Sequence, residues 1–255
     1  MLININLEKQ TVLITGGETG IGRAIAIKVA EAGARVAINY NSSKESAEQV
    51  TSEIIANGGI AYNYQCDVTK EEQVKIMVSN IEVDLGSVDI LVNNAGSLIE
   101  RCRVDEMSSE LWEEVVNVNQ KSVFLCSKYV IPAMKMNNYG RIINVSSIAA
   151  RNGGGMGAVI YASTKAAVSA FTKGLARELS EFQISVNGVA PGTITTAFHD
   201  KFTENNVREK VVETIPLKRE GTPEEVANAV LYLASPLSSF LLGEVIEVNG
   251  GQLMD

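Results

Sequence analysis

Two patterns of apolar residues alternate along this chain. One is a run of three to six residues, often rich in Val and Ile, which is typical of a strand buried on both faces of a sheet. The other repeats apolar residues every three or four positions, which predicts a helix with one apolar side. The predicted strands are residues 11–15, 35–40, 60–65, 90–92, 141–145, 185–190 and 244–248. The predicted helices are residues 21–32, 47–57, 74–81, 109–136, 161–181 and 223–233.

The strict alternation of strand and helix predicts an α/β fold. Each strand is joined to the next by a helical crossover, which favours a mostly parallel sheet with helices on both faces. We expect residues 1–255 to form a single domain, because no repeat, linker or low-complexity tract divides them. The stretch between Pro191 and Pro223 is the least regular, so a substrate flap or a pair of short helices is expected around residues 192–222.

Composition narrows the classes of function. The formal net charge of -8 would repel a phosphate backbone, which argues against nucleic-acid binding. Three cysteines without close pairing predict neither a zinc site nor a disulfide framework, and they suit a reducing compartment. No apolar run approaches the roughly 18 residues of a membrane span, and no signal peptide is evident. We therefore expect a cytoplasmic protein without a metal ion.

A glycine-rich turn follows the first predicted strand. Residues 15–22 read Thr-Gly-Gly-Glu-Thr-Gly-Ile-Gly and lead into the first helix. Positions without side chains let the backbone approach a pyrophosphate at the positive end of a helix, so this context favours a dinucleotide site over a purely structural turn. At the end of the second strand stand Tyr40 and Asn41, which do not discriminate NAD from NADP. Glu18 would oppose a 2′-phosphate, so NAD(H) is favoured and NADP(H) stays open.

Polar residues also follow the third and fourth strands, where open α/β sheets bind ligands. Asp67-Val68 ends the third strand, and Asn93-Asn94-Ala95-Gly96 ends the fourth. Asp67 could accept a hydrogen bond from an adenine amino group. A cap for the helix that begins near Thr69 is an equal alternative.

Tyr161 and Lys165 form the candidate acid/base pair. They stand four residues apart on a predicted helix, and hence on one face of it. A free phenol ionises near pKa ~10, so a neighbouring ammonium is what acid/base work at neutral pH requires. Ser147 follows a strand and could hydrogen-bond a substrate oxygen, while Asn119 could hold a water near Lys165. A packed ring beside a solvated lysine is the structural alternative.

Arg151 and His199 are candidate substrate contacts. The Arg151 guanidinium stands four residues after Ser147 and could clamp a substrate carboxylate. A surface arginine in a glycine-rich loop is at least as compatible with the sequence. His199 is the only histidine and could touch substrate from the flap, although a structural role is the better interpretation.

In order and spacing, these motifs resemble the short-chain dehydrogenase/reductase family over nearly the whole chain. The resemblance implies a Rossmann-type doubly wound sheet of about seven strands, a homotetramer, and NAD(P)-dependent oxidation and reduction of alcohol and carbonyl groups. It implies Tyr161 as proton donor and acceptor, Lys165 lowering its pKa, Ser147 orienting the substrate oxygen and Asn119 supporting a proton relay. The expected cofactor contacts are Gly16, Glu18, Thr19, Gly20, Ile21, Gly22, Tyr40, Asn41, Asp67, Val68, Asn94, Ala95, Gly96, Tyr161, Lys165, Pro191, Gly192, Ile194 and Thr196, with Gly192 also placed beside substrate. Thr19 stands where NADP-preferring relatives often carry a basic residue.

The substrate is less defined by these motifs. Residues 147–157, 195–199 and 248–252 resemble bacterial reductases of the keto-uronate released from alginate. They also resemble, less closely, 3-oxoacyl-acyl-carrier-protein reductases and glucose 1-dehydrogenases. A reductase of a small keto sugar acid is therefore the leading hypothesis. A non-catalytic dinucleotide sensor or scaffold is the alternative from another class, and epimerase or dehydratase chemistry is a third.

Overall fold

The computed structural model describes residues 5–203 and 205–254, without the side chains of residues 199, 200 and 205. Its centre is a seven-stranded sheet in the order β3-β2-β1-β4-β5-β6-β7, with every neighbouring pair parallel. The strands are β1 (Thr11–Ile14), β2 (Arg35–Tyr40), β3 (Ile60–Gln65), β4 (Ile90–Asn93), β5 (Gly140–Val145), β6 (Ile184–Pro191) and β7 (Val245–Val248). The predicted doubly wound parallel sheet is confirmed.

Ten α-helices are assigned in the described part of the chain. They are α1 (Gly20–Glu31), α2 (Lys44–Ala56), α3 (Glu71–Leu85), α4 (Ser109–Val116), α5 (Ser122–Asn137), α6 (Ala149–Asn152), α7 (Val159–Leu179), α8 (Ala197–Phe202), α9 (Asn205–Thr214) and α10 (Pro223–Ala234). A π-helical turn (Asn117–Lys121) joins α4 to α5, and 3-10 turns occupy Ser180–Phe182 and Pro236–Ser238. None of the helices described is long and apolar enough to cross a membrane.

The helices differ from the sequence-based expectation in one region and agree with it in another. The single helix expected over residues 109–136 is wrong in detail, because the π-helical turn interrupts it and widens the backbone around Asn119. Apolar spacing cannot reveal one extra residue in a turn, since the residues on either side still follow a helical period. The pair of short helices expected around residues 192–222 is present as α8 and α9.

The core lies on both faces of the sheet. In β1, Val12 and Ile14 pack into one apolar cluster with α1 and α10, whereas Leu13 packs into a second cluster with α3 and α5. Consecutive strand residues point to opposite faces, so a strand covered on both faces has no polar alternation. This explains why the strands appear in the sequence as continuous apolar runs.

The strand order reverses direction at β1, because β2 lies on one side of it and β4 on the other. The connections that leave β1 and β4 therefore run to opposite faces of the sheet and leave a crevice at the carboxyl ends of these strands. Open parallel sheets bind ligands at such a point. The fold thus gathers the segments that follow β1, β4, β5 and β6 at one edge.

Two valines of α3 provide a test of the core. Val74 is completely buried and Val83 is 82% exposed. Changing either valine to alanine gives the same gain in helix propensity, so the two variants differ only in the buried surface that is lost. We expect Val74→Ala to lower the free energy of unfolding by about 2 kcal/mol more than Val83→Ala does. Chemical denaturation of the three proteins measures the difference, and equal stability of the two variants would contradict this account of the core.

Candidate active site

A cavity of about 840 Å³ opens at the carboxyl edge of the sheet, where the predicted site residues meet. The expected cofactor and catalytic residues that line it are Gly16, Glu18, Thr19, Gly20, Ile21, Gly22, Asn41, Asp67, Val68, Asn94, Ala95, Gly96, Ser147, Tyr161, Lys165, Pro191, Gly192, Ile194 and Thr196. Tyr40, Asn119 and Arg151 do not line it. The side chain of His199 lies outside the described residues.

The glycine turn is packed directly against the end of β4. The side-chain amide of Asn94 donates to the carbonyl oxygens of Thr15 and Gly16 at 2.9 and 2.8 Å. In return, the Thr15 hydroxyl accepts from the backbone N–H groups of Asn94 and Ala95, both at 3.0 Å. A Cβ on Gly22 would lie 2.0 Å from the Gly16 oxygen, so glycine is required there. The result is a cradle of exposed backbone at the start of α1, which fits a pyrophosphate.

At the end of β2, the structure brings Asn39 to the cavity and leaves Tyr40 out. Asn39 accepts a hydrogen bond from the Gly16 N–H at 3.3 Å and donates to the Cys66 carbonyl at 3.0 Å. Tyr40 is only 5% exposed and points to the other face of the sheet from its neighbour. We expected Tyr40 to contact the cofactor, but it is Asn39 that lines the cavity. A polar residue inside an apolar strand could have indicated Asn39 from the sequence.

Two acidic residues line the same part of the cavity. Burial raises the pKa of Glu18, and among the described residues no donor reaches its Oε2 atom. Asp67 is partly engaged, because its Oδ1 accepts from both the backbone N–H and the hydroxyl of Thr69 at 2.9 and 2.7 Å. The helix α3 begins only at Glu71, so Asp67 forms a local turn rather than the helix cap considered from the sequence.

Tyr161 and Lys165 lie on α7 and face the end of β5. The Tyr161 hydroxyl is hydrogen-bonded to Ser147, which follows β5. The Lys165 ammonium donates to the Val145 carbonyl at 2.8 Å and lies 5.8 Å from the centre of the Tyr161 ring. Ser146 points elsewhere, since its hydroxyl contacts the Lys165 carbonyl and the Ser169 hydroxyl. The geometry therefore favours Ser147 over Ser146 as the serine beside the phenol.

Burial dominates the electrostatics of this pair. It raises the pKa of Tyr161 to about 12, although the hydrogen bond with Ser147 acts in the opposite direction. It lowers the pKa of Lys165 to about 8, because a buried ammonium loses its hydration. The sequence led us to expect that Lys165 would lower the pKa of Tyr161. In this structure the loss of hydration outweighs the hydrogen bond with Ser147, so the pKa of the phenol lies above its ordinary value.

Asn119 lies one layer behind the cavity, in the π-helical turn. It is fully buried, and its amide donates to the Ser97 carbonyl at 2.6 Å and accepts from the Ser97 N–H at 3.1 Å. A Cβ on Gly96 would lie 2.8 Å from Asn119 Oδ1 and 3.1 Å from Lys165 Nζ. Gly96 therefore allows the amide and the ammonium to come close together.

Several apolar side chains line the cavity beside Tyr161, and sequence reasoning missed them. The Phe198 ring lies 5.8 Å from the Tyr161 ring, and the Phe202 ring lies 5.0 Å from that of Phe198. The apolar side chains on this side are Leu98, Met156, Phe198, Phe202, Val207 and Val211. Several of them belong to α8 and α9, where the only signal in the sequence was an irregular stretch.

Arg151 is held away from the cavity. Its guanidinium pairs with the Glu247 carboxylate of β7 at 3.2 Å, so the predicted contact with a substrate carboxylate is not supported by its position. Arg101 and Arg208 line the cavity instead, and no pattern in the sequence singles them out. Arg208 forms a bidentate ion pair with Glu220, which fixes α9 beside the segment that follows α9.

A parallel sheet with a dinucleotide cradle and a tyrosine–lysine pair at its switch point defines a nicotinamide-dependent oxidoreductase. The family model described as enoyl-(acyl carrier protein) reductase matches residues 16–252. The chain belongs to the short-chain dehydrogenase/reductase family, and it is an NAD(P)-dependent oxidoreductase acting on carbonyl or hydroxyl groups.

Two curated relatives are about 40% identical to this chain over nearly its whole length. The 3-oxoacyl-acyl-carrier-protein reductase FabG of Staphylococcus epidermidis strain RP62A is 40% identical over 245 residues, which cover 96% of this chain and 99% of the relative. The FabG protein of Aquifex aeolicus is 42% identical over 250 residues, with 98% and 99% covered.

Solved structures confirm the fold. A 7α-hydroxysteroid dehydrogenase complexed with NADH and 7-oxo glycochenodeoxycholic acid matches with a TM-score of 0.94 and 35% identity, over 100% of this chain and 99% of the other. The NADH-dependent reductase A1-R′, responsible for alginate metabolism, matches with a TM-score of 0.89 and 30% identity, over 98% and 99%.

The lowered pKa of Lys165 predicts that kcat/KM decreases on the alkaline side of its pH profile. Its ammonium is charged below pH about 8 and becomes neutral as the pH rises through that value. If Tyr161 is the acid, as its position beside Ser147 and Lys165 leads us to expect, kcat/KM for carbonyl reduction should fall through the same range, because loss of the Lys165 charge makes the phenol a weaker acid. In Lys165→Arg the guanidinium stays charged, so the residual activity should lack this limb. An unchanged alkaline limb in that variant would assign it to another group.

Proposed function

We propose that this chain reduces the 3-oxo group of an acyl thioester carried on acyl-carrier protein, with NADH as the hydride donor. The observation that carries the substrate class is the apolar wall beyond Tyr161, formed by the side chains of α8, α9 and the loops beside them. An acyl chain gains free energy by leaving water for such a wall. The FabG relatives act on this class of substrate by their names, which supports the proposal.

A keto sugar acid remains the second candidate. Similarity to the alginate-metabolism reductase favours it, at lower identity than the FabG relatives. Its several hydroxyl groups would need hydrogen-bond partners, and the aromatic rings beside Tyr161 offer none. Arg151 is paired with Glu247 and is not presented to a substrate carboxylate. These features make the sugar acid the weaker fit.

In the proposed reaction, Tyr161 donates its phenolic proton to the substrate carbonyl oxygen. The glycine turn and the Asn94–Gly96 segment would hold NADH, which would supply the hydride for the carbonyl carbon, so that C=O would become CH–OH. Ser147 orients the oxygen, because its own hydroxyl is fixed by the Tyr161 hydroxyl and by the Ala149 N–H at 3.1 Å. Lys165 stabilises the phenolate left behind through its charge in a dry site. Asn119 keeps the Ser97 backbone, and with it the loop beside Lys165, in position.

Three features support NADH over NADPH. Glu18 and Asp67 place carboxylates at the glycine-turn end of the cavity, where a 2′-phosphate would be repelled. The buried Oε2 of Glu18 lacks a donor among the described residues, and the hydroxyl groups of an unmodified ribose are suitable donors. The basic lining residues are engaged elsewhere, with Lys165 on Val145, Arg208 on Glu220 and Arg101 on Met156.

A substrate panel tests the proposed activity. We expect 3-oxoacyl thioesters to show a higher kcat/KM than the alginate-derived keto-uronate, with the advantage growing as the acyl chain lengthens. Tyr161→Phe should lose about 10²–10⁴-fold in turnover while keeping cofactor affinity, since only the proton donor is removed. Tyr62→Phe is the matched control, because Tyr62 is exposed on β3 away from the cavity. Preference for the keto-uronate would overturn the thioester assignment.

Cofactor preference is tested at Glu18. Glu18→Gln removes the negative charge without changing the shape, so the ratio of kcat/KM for NADPH to that for NADH should rise about ten-fold. Glu31→Gln serves as the control, because Glu31 is an exposed residue at the end of α1 paired with Lys28. A wild-type preference for NADPH, or a ratio that Glu18→Gln leaves unchanged, would show that Glu18 does not set the selectivity.

A further inference from the structure

Arg101 joins two separate segments that close the cavity. It belongs to the loop after β4, and its Nε donates to the Phe202 carbonyl at the end of α8 at 2.6 Å. Its Nη1 donates to the Met156 carbonyl, in the glycine-rich loop before α7, at 2.7 Å. All three residues line the cavity. One planar guanidinium thus connects the loop after β4 with the end of α8 and with the glycine-rich loop before α7.

The contact with α8 complements an anchor at the other end of that helix. Before α8, the backbone of Thr195 donates to Gly221 at 2.9 Å and Gly221 donates to Thr193 at 3.0 Å, which fixes the start of the helix. At its end, the last carbonyl groups of a helix have no partner within the helix. Arg101 supplies a donor to one of them. The six residues of α8 therefore span two fixed points.

The position of α8 determines what lies against the catalytic phenol. Phe198 of α8 packs on the Tyr161 ring at 5.8 Å between centroids, and Phe202 packs on Phe198 at 5.0 Å. The carbonyl that Arg101 binds belongs to Phe202 itself. Movement of the end of α8 would therefore move the pair of rings that packs against Tyr161.

The glycine-rich loop is shaped to receive the arginine. The Cys102 N–H donates to the Gly157 carbonyl at 3.1 Å, beside the guanidinium. A Cβ on Gly157 would lie 3.0 Å from the Cys102 nitrogen and 3.2 Å from the Arg101 Cβ, and Gly157 has a φ of +71°. Both the conformation and the close approach require glycine, so the two loops pack backbone to backbone.

We propose that Arg101 is a positioning residue for carbonyl reduction, which holds α8 and the loop 153–157 together so that Phe198 stays against Tyr161. The fork of the guanidinium suits this task, because it reaches two carbonyl groups in different directions while lysine carries its donors on a single atom. The residue acts through α8 on substrate retention and leaves the proton transfer itself to Tyr161.

Amide hydrogen exchange is the direct test. In the full-length protein, Arg101→Gln should accelerate exchange about ten-fold in residues 197–202 and 153–157 and leave the strands unchanged. Arg101→Lys should retain part of the protection. Arg103→Gln is the matched control, since Arg103 lies two residues away and contacts the exposed Asp105. Equal exchange in Arg101→Gln and wild type, or the same acceleration in Arg103→Gln, would overturn the proposal.

Kinetics separate positioning from direct substrate binding. This arm rests on the proposed thioester activity, whereas the exchange measurement needs no substrate and decides on Arg101 by itself. With acetoacetyl thioesters of N-acetylcysteamine, which is neutral, and of coenzyme A, which carries phosphates, Arg101→Gln should raise KM about ten-fold for both and change kcat less than about two-fold.

Two kinetic results would contradict the positioning role. A KM defect confined to the coenzyme A thioester would mean that Arg101 binds the substrate phosphate, and a loss of kcat at constant KM would place it in the chemical step. In a double-mutant cycle, Arg101→Gln should raise KM much less in the Phe198→Ala background than in the wild type, because both changes act on the same pair of rings. Full additivity of the two changes would also contradict the proposal.

Discussion

The hydrogen bonds between the glycine turn and the end of β4 are the contact on which the site depends. Asn94 donates to the carbonyls of Thr15 and Gly16, and Thr15 accepts from the backbone at Asn94 and Ala95. These bonds join the two strands at which the sheet changes winding direction, and they hold the glycine turn against the end of β4. Without these bonds, the glycine turn and the loop leading to Gly96 would not be held in a fixed position relative to each other.

Burial is the second constraint, and it acts on both members of the proposed acid/base pair. It favours the neutral form of each, raising the pKa of Tyr161 and lowering that of Lys165. A neutral phenol is the form that can donate a proton, which is the role proposed for Tyr161 in carbonyl reduction. The contact of Lys165 with the Val145 carbonyl keeps the ammonium in place despite the loss of water. The same dry environment strengthens any charge interaction that forms during the reaction.

The substrate side of the cavity is built differently from the cofactor side. Backbone groups at strand ends form the cofactor side, whereas side chains of short helices form the other, supported by the Arg208–Glu220 ion pair and by Arg101. The strand ends hold Ser147 and the glycine turn, and the helices α8 and α9 contribute apolar side chains to the cavity. The relatives of this chain include 3-oxoacyl-acyl-carrier-protein reductases, a 7α-hydroxysteroid dehydrogenase and a reductase responsible for alginate metabolism.

The sequence by itself determined the sheet, its helices on both faces and the expected cofactor contacts at the strand ends, all of which except Tyr40 line the cavity. Local patterns report these features, because a strand buried on both faces must be apolar throughout and a turn that approaches a phosphate must lack side chains. Tyr161 and Lys165 could be selected for the same reason, since a fixed spacing on a helix places them side by side.

Only the tertiary structure decided which of two neighbours faces the cavity and which charges are already paired. The pleat of β2 presents Asn39 and turns Tyr40 away, and Glu247 on a distant strand occupies Arg151. The π-helical turn at Asn119 and the contacts of Arg101 join segments from 22 to 101 residues apart in the chain. Such contacts leave no periodic signal in the sequence, because they depend on where separate elements meet in space.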